Sequence, residues 1–142
     1  MAAKFPILII DFDRTMKVTL SYAARQSFSE AEFMQVYDPA QLPAFFEKFT
    51  EYAPRLVLLD INLRQPLDGL EWLRWLRSQE LSRNLPVIVF TRSENQSDVE
   101  KAYAYGASSF TLKPFSLAEW RDYLRILRLY WVDVVTLPPG IR

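Results

Sequence analysis

The sequence contains no cysteine and no histidine. The first absence excludes disulfides, thiolate metal sites and thiol nucleophiles, and the second removes the commonest general base and zinc ligand. Any chemistry must therefore use carboxylates, hydroxyls and lysine. An excess of charge is lacking too: Lys plus Arg and Asp plus Glu number 17 each, so the formal net charge is zero. No basic surplus is available to hold nucleic acid or an anionic membrane, and neither is expected as a partner. No apolar run approaches the roughly 20 residues of a membrane-spanning helix, and the start, Met1 to Pro6, carries no signal-peptide pattern. These features predict a cytoplasmic, soluble protein. With 142 residues there is room for one real core, and residues 1–142 are read as a single domain.

What is present is organised around Arg55-Leu-Val-Leu-Leu-Asp-Ile-Asn62, an apolar run leading without a polar break into Asp60. Such a run fits a strand buried on both faces of a parallel sheet, with Asp60 at the carboxyl edge where ligands bind in open α/β folds. Ile7 to Ile10 before Asp11 is a second such run, and Met16, Leu20, Ala23 and Ala24 follow at helical spacing. Glu32 to Tyr37 is a weaker strand. Pro39 or Pro43 opens a helix with Leu42, Phe45, Phe46 and Phe49 on one face.

Asp68 to Glu71 has capping-box spacing before Leu70, Leu73 and Leu76. Pro86 to Thr91 is a fourth strand, and Ser97 to Glu100 is expected to cap a helix ending at Gly106. Ser108 to Leu112 is a fifth strand, and Ser116 to Glu119 caps the last helix. Alternating strands and helices with short loops predict a flavodoxin-like (βα)5 fold. The sheet is doubly wound and parallel, in strand order 2-1-3-4-5, with an extended C-terminal helix and tail.

Strands one, three, four and five then end in Asp11, Asp60, Thr91 and Lys113 at one edge. Two adjacent carboxylates repel unless a cation lies between them, and all-oxygen ligands suit Mg2+. An ammonium and a hydroxyl beside them supply donors for phosphoryl oxygens, so phosphoryl transfer to aspartate is the natural chemistry.

Asp11, Leu58-Leu-Asp60-Ile-Asn62, Asp68-Gly69, Val89-Phe-Thr91, Phe110 and Lys113-Pro114 together resemble the receiver domain of two-component response regulators. The resemblance covers nearly the whole chain. It implies that Asp60 accepts a phosphoryl group from a histidine on a sensor histidine kinase. By the same resemblance, Asp11, Asp60 and the backbone carbonyl of Asn62 bind Mg2+, and Thr91 and Lys113 contact the phosphoryl oxygens. Phe110 is the aromatic that switches with Thr91, and Lys113-Pro114 is a candidate cis peptide. The ending, Leu127 to Pro139, is similar to that of small single-domain regulators that partner bacterial phytochromes, a group that dimerises through the last helix and strand.

Phe12 stands where the family usually carries a second acid, which predicts a weakened Mg2+ site. Asp13 is a candidate substitute ligand, directly or through water, against the plainer reading of a solvated loop carboxylate. The loop from Asp60 to Gly69 is one residue longer than the family pattern, and Arg92 is bulky beside Thr91. Phe12 supports an alternative reading, a phosphorylation-deficient dimer or scaffold module. Ile9-Ile-Asp11-Phe-Asp13-Arg-Thr15 supports another, a haloacid-dehalogenase-like phosphatase with Asp11 as nucleophile and Asp13 as general acid. That reading lacks the acidic pair expected beyond Lys113.

In the last helix Leu117, Trp120, Leu124, Leu127, Trp131 and Val134 form a stripe expected to cover the sheet. Tyr123, Ile126 and Tyr130 form a second stripe. Together with Val132 and Val134 they predict a homodimer interface within residues 116–142. Arg121, Arg125 and Arg128 share a flank and are candidates either to pair with acids across it or to be simply solvated. Trp72 and Trp75 on the third helix have no assigned role.

Overall fold

The strand Phe5–Ile10 (β1) is buried along its whole length, as an uninterrupted apolar run must be when both sheet faces are covered. The structure, a computed structural model, describes residues 3–48, 53–62, 69–92 and 95–138. β1 pairs in parallel with Ala31–Val36 (β2) on one side and Leu56–Leu59 (β3) on the other, with Ile7 opposite both Phe33 and Leu56. Val87–Thr91 (β4) and Ser109–Leu112 (β5) complete a five-stranded sheet in the expected order, β2-β1-β3-β4-β5. The three inner strands are buried throughout, whereas the two edge strands are only partly buried.

Alternation along the strands divides the core. On one face Ile7, Ile9, Leu56, Leu58, Ile88 and Phe90 pack against Met16–Ser27 (α1) and Leu117–Arg128 (α5). The four apolar positions read from the spacing of α1, Met16, Leu20, Ala23 and Ala24, are its buried residues. On the other face Leu8, Ile10, Val57 and Leu59 meet Leu42–Glu47 (α2) and Gly69–Ser78 (α3). Ala102 of Gln96–Ala104 (α4) joins Ile61, Leu70 and Val89 there. Each fully buried Leu or Ile is worth about 1.5–3 kcal/mol relative to exposure.

Both prolines before α2 are used. Pro39 begins a short 3-10 turn capped by Asp38, whose side chain accepts from Ala40 N–H, and Pro43 lies in the first turn of α2 itself. Trp72 and Trp75 meet edge to face at 5.6 Å and lie half-buried on this second core, Trp75 also touching Phe46. Ser116 caps α5 as expected, accepting from Glu119 N–H.

The cap of α4 is Asn95, not Ser97. Its side chain accepts from Asp98 N–H and donates to the Asp98 carboxylate, a reciprocal box two residues upstream of the expected one. Among the described residues no peptide bond is cis, so Lys113–Pro114 is trans. Phe49, Asp68 and most of the loop between Asp60 and Gly69 lie outside the described residues.

α5 continues into a π-helical turn, Leu129–Val134, closed by Val135 N–H donating to the Tyr130 carbonyl. The wider turn shifts the register of the stripe. Trp131 stays packed on the core, but Val134 rotates out to 64% exposure, and Leu117 at the other end is exposed as well. Two arginines of the flank pair within their own chain. Arg128 binds Glu30 through Nε and Nη2, and Asp133 through Nη1, while Arg125 pairs with Asp122.

Candidate functional site

The strand ends are fastened to one another by backbone bonds that extend the ladder. Asp11 N–H donates to Val36 O, Asp60 N–H to Ile10 O at 2.9 Å, and Lys113 N–H to Thr91 O at 2.8 Å. Four strands ending in register therefore deliver Asp11, Asp60, Thr91 and Lys113 to one edge, all buried. The Lys113 ammonium donates to Asp11 Oδ2 at 2.6 Å and to Asp60 Oδ2 at 2.9 Å, and lies 4.9 Å from the Phe90 ring centroid. Each carboxylate gives its other oxygen to the chain: Asp13 N–H donates to Asp11 Oδ1 and Asn62 N–H to Asp60 Oδ1.

Above this core opens a cleft lined by Asp11, Phe12, Asp13, Asp60, Asn62, Arg92 and Lys113. One lysine faces two carboxylates, which leaves negative charge in excess. Burial raises the proton affinity of Asp11, the Asp60 charge adds to it, and the Lys113 hydrogen bond and charge only partly oppose them.

Asp13 lines the same cleft but is tied into the local turn by one of its oxygens. Its Oδ1 accepts from the Thr15 N–H at 2.9 Å and hydroxyl at 2.7 Å, closing the turn into α1. Burial pushes its carboxyl up, but the Thr15 bonds and the Lys113 and Arg92 charges outweigh this and hold it below the usual value. The local turn thus occupies one Asp13 oxygen, and Oδ2 is the atom left to serve as the substitute metal ligand. Among the described residues no three acidic side chains converge closely enough to hold a metal. Two carboxylates with excess negative charge, in a cleft open to water, nevertheless fit Mg2+, which commonly takes one or two protein carboxylates and keeps several waters.

Phe12 is turned partly outward at the mouth. The Arg92 guanidinium carbon lies 6.0 Å from the Phe115 ring centroid. Phe110 is half-buried against the cluster of Ile61, Leu70, Val89 and Ala102, and its N–H donates to the Tyr103 hydroxyl of α4.

Two residues at the site carry roles that sequence reasoning missed. Gln35, in β2, donates through Nε2 to the carbonyls of Asp11 and Asp13 and accepts from Lys17 N–H, bracing the loop that carries Asp11. A glutamine within a strand was its only signal. The Asn62 side chain donates through Nδ2 to Thr91 Oγ1 at 2.7 Å, a contact between strand ends that no spacing reveals.

Of the expected interface residues, Ile126, Tyr130, Val132 and Val134 are exposed. Tyr123 is turned inward, its hydroxyl 2.8 Å from that of Thr111, which donates in turn to Val89 O. Burial pushes the Tyr123 hydroxyl up to about 12. Among the described residues no helix is long and apolar enough to cross a membrane.

Residues 7–125 match the profile of the response regulator receiver domain. The chain is 26% identical over 136 residues to the response regulator Rcp1 of Synechocystis sp., covering 93% of this chain and 92% of that protein. A Mn2+-bound crystal structure of Rcp1 superimposes with a TM-score of 0.77, over 94% of this chain and 99% of that one. The phosphorylated cyanobacterial phytochrome response regulator RcpA aligns at 26% identity and a TM-score of 0.81, over 96% of this chain and 99% of that one. The regulator RPA3017, from red light signaling of R. palustris, aligns at 27% and 0.81, over 94% and 98%.

Proposed function

The chain belongs to the response regulator receiver family, and from that premise we propose that it accepts a phosphoryl group on Asp60 from a sensor histidine kinase and signals through protein contacts. The observation that carries this reading is the buried Lys113 ammonium bonded to both Asp60 and Asp11 at the mouth of an open cleft. A lysine held on a carboxylate nucleophile is placed to follow the charge that develops as a phosphoryl group arrives. The partner is a phytochrome-type kinase; the alignment with RcpA and RPA3017 over nearly the full length of all three chains supports this.

In the reaction, an Asp60 oxygen attacks phosphorus, the P–N bond to the donor histidine breaks, and the imidazole nitrogen leaves with the electron pair. Lys113 and the Thr91 hydroxyl donate to the phosphoryl oxygens. Asp11, Asp60 and the Asn62 carbonyl would hold Mg2+, which when bound neutralises charge on the phosphoryl group. The protein is a phosphoacceptor and not a turnover enzyme. The new charge then draws Thr91, and Phe110 follows, altering the face formed by α4, β5 and α5.

The test is intact mass after incubation with acetyl phosphate and Mg2+. Wild type gains one phosphoryl group, Asp60→Asn gains none, and Asp11→Asn gains it far more slowly. If wild type gains none and releases no phosphate, the alternative favoured by Phe12, a phosphorylation-deficient module, replaces this reading. Phosphate release that survives Asp60→Asn but not Asp11→Asn would establish the phosphatase.

The proposal includes a homodimer built on residues 116–142, supported by the exposed apolar side chains of Ile126, Tyr130, Val132 and Val134. Sedimentation of Ile126→Glu/Tyr130→Glu as a monomer, with wild type a dimer, is the expected result. A monomeric wild type would remove the dimer.

A further inference from the structure

Thr91 is fully buried at the end of β4, yet its hydroxyl is gripped by an exposed residue on a different strand end. Asn62 Nδ2 donates to Thr91 Oγ1 at 2.7 Å, while Asn62 N–H donates to Asp60 Oδ1 at 2.9 Å. One residue thus senses the Asp60 carboxylate through its main chain and holds the threonine through its side chain. Its placement follows from sequence and fold together, since it lies two residues beyond Asp60 while β3 and β4 are paired neighbours.

We propose that the Asn62 side chain is a latch on Thr91 that holds the unphosphorylated state, and so sets how readily modification of Asp60 is converted into movement of the switch. The inference rests on the phosphoacceptor reading of Asp60, but names a residue and a contact which that reading does not use. Asn62 is a positioning residue here, acting through Thr91. Its metal role would involve only the main-chain carbonyl, which every substitution retains.

A hydroxyl has one proton and two lone pairs, and the Asn62 amide occupies one lone pair and pins the oxygen in place. A phosphoryl group on Asp60 draws negative charge away from the carboxylate and offers three new acceptor oxygens beside it. The Asn62 N–H bond to Oδ1 weakens as that oxygen loses charge, and the Thr91 hydroxyl proton, which the Asn62 bond does not use, gains a charged acceptor. Movement of Thr91 toward that acceptor, as the phosphoacceptor reading has it, carries its oxygen away from the Asn62 amide and releases the bond. Because Asn62 is exposed, water replaces the lost bond, and the latch opens at modest cost. The net worth of one such bond corresponds to about a two- to twelvefold bias toward the unphosphorylated arrangement.

The test uses the full chain, saturating Mg2+ and beryllofluoride as a stable phosphoryl mimic, titrated by tryptophan fluorescence in wild type, Asn62→Ala, Thr91→Val and the double variant. Asn62→Ala is expected to bind the mimic about two- to twelvefold more tightly than wild type, and to change nothing in the Thr91→Val background. No change in the single variant, or an equal change in both backgrounds, overturns the latch. Three-bond couplings of Thr91 in the unmodified protein supply the second readout. They should report a single χ1 rotamer in wild type and an averaged one in Asn62→Ala, and an unchanged rotamer also overturns the latch. If wild type takes up no mimic while Asn62→Ala still frees the rotamer, the phosphoacceptor reading fails and the contact between Asn62 and Thr91 stands.

Discussion

Replacing Gly69 with alanine tests whether the start of α3 sets the geometry of Asp60. A Cβ on Gly69 would lie 2.4 Å from Ile61 Cα and 2.6 Å from the Asp60 carbonyl oxygen. Carbon atoms in contact prefer about 3.5–4.0 Å, so the shortfall is about 1 Å. Both obstacles are backbone atoms and neither can swing aside, while Gly69 N–H donates to Ile61 O at 3.1 Å and ties the two segments. Relief requires the chain at Asp60 and Ile61 to move. Overpacking of this kind costs about 1–3 kcal/mol. With a urea dependence of about 2 kcal/mol per molar, the unfolding midpoint should fall by about 0.5–1.5 M.

Gly106→Ala is the matched control. Gly106 has φ of +107°, and its Cβ would meet the Arg77 side chain, with Nε at 2.9 Å. That strain costs a similar amount, about 1–3 kcal/mol, but falls at the turn between α4 and β5, away from the cleft. The assay pairs urea unfolding with the rate of acetyl phosphate labelling read by intact mass. Gly69→Ala should lose about a hundredfold in labelling rate for a displacement near 1 Å, and Gly106→Ala should label like wild type. Equal labelling by the two variants at equal loss of stability would refute the argument that Gly69 positions Asp60.

Lys113→Met leaves two buried carboxylates facing each other without a cation, and in EDTA it should destabilise the fold by about 3–5 kcal/mol. Added Mg2+ should narrow that deficit in thermal unfolding, and an equal deficit with and without Mg2+ would show that the ion does not enter between Asp11 and Asp60. Thr111→Val leaves the inward Tyr123 hydroxyl without its partner at a cost of about 1–3 kcal/mol, and adding Tyr123→Phe should restore most of the loss in urea unfolding. A double variant no more stable than the single one would sink that assignment. The Arg128 hydrogen bond holds the Glu30 carboxyl below its usual 4.5. Its contribution to stability is therefore fully present above that value and is lost as pH falls through the lower, folded value. Melting temperatures measured from about pH 6 to about pH 3 should show a shallower acid-side decline in Glu30→Gln. Parallel curves would disprove the linkage.

The sequence alone determined the order of strands and helices, because apolar runs before Asp11 and Asp60 can be satisfied only by burial on both faces. It also determined which residues sit at the strand ends, since a parallel sheet puts every carboxyl end at one edge. Caps written in adjacent residues were legible where a single candidate existed, as at Ser116, and misread where Asn95 and Ser97 competed within one turn. Only the tertiary structure decided what the site residues do to one another. The lysine bridging Asp11 and Asp60, the Gln35 brace and the Asn62 grip on Thr91 join residues distant in the chain, with separations set by strand register. Likewise only the structure tied one Asp13 oxygen into its local turn and rotated Val134 off the core through a π-helical turn. Periodicity and spacing report which face a residue occupies. The direction and partner of a side chain follow from the competition among all the donors and acceptors that folding brings within reach.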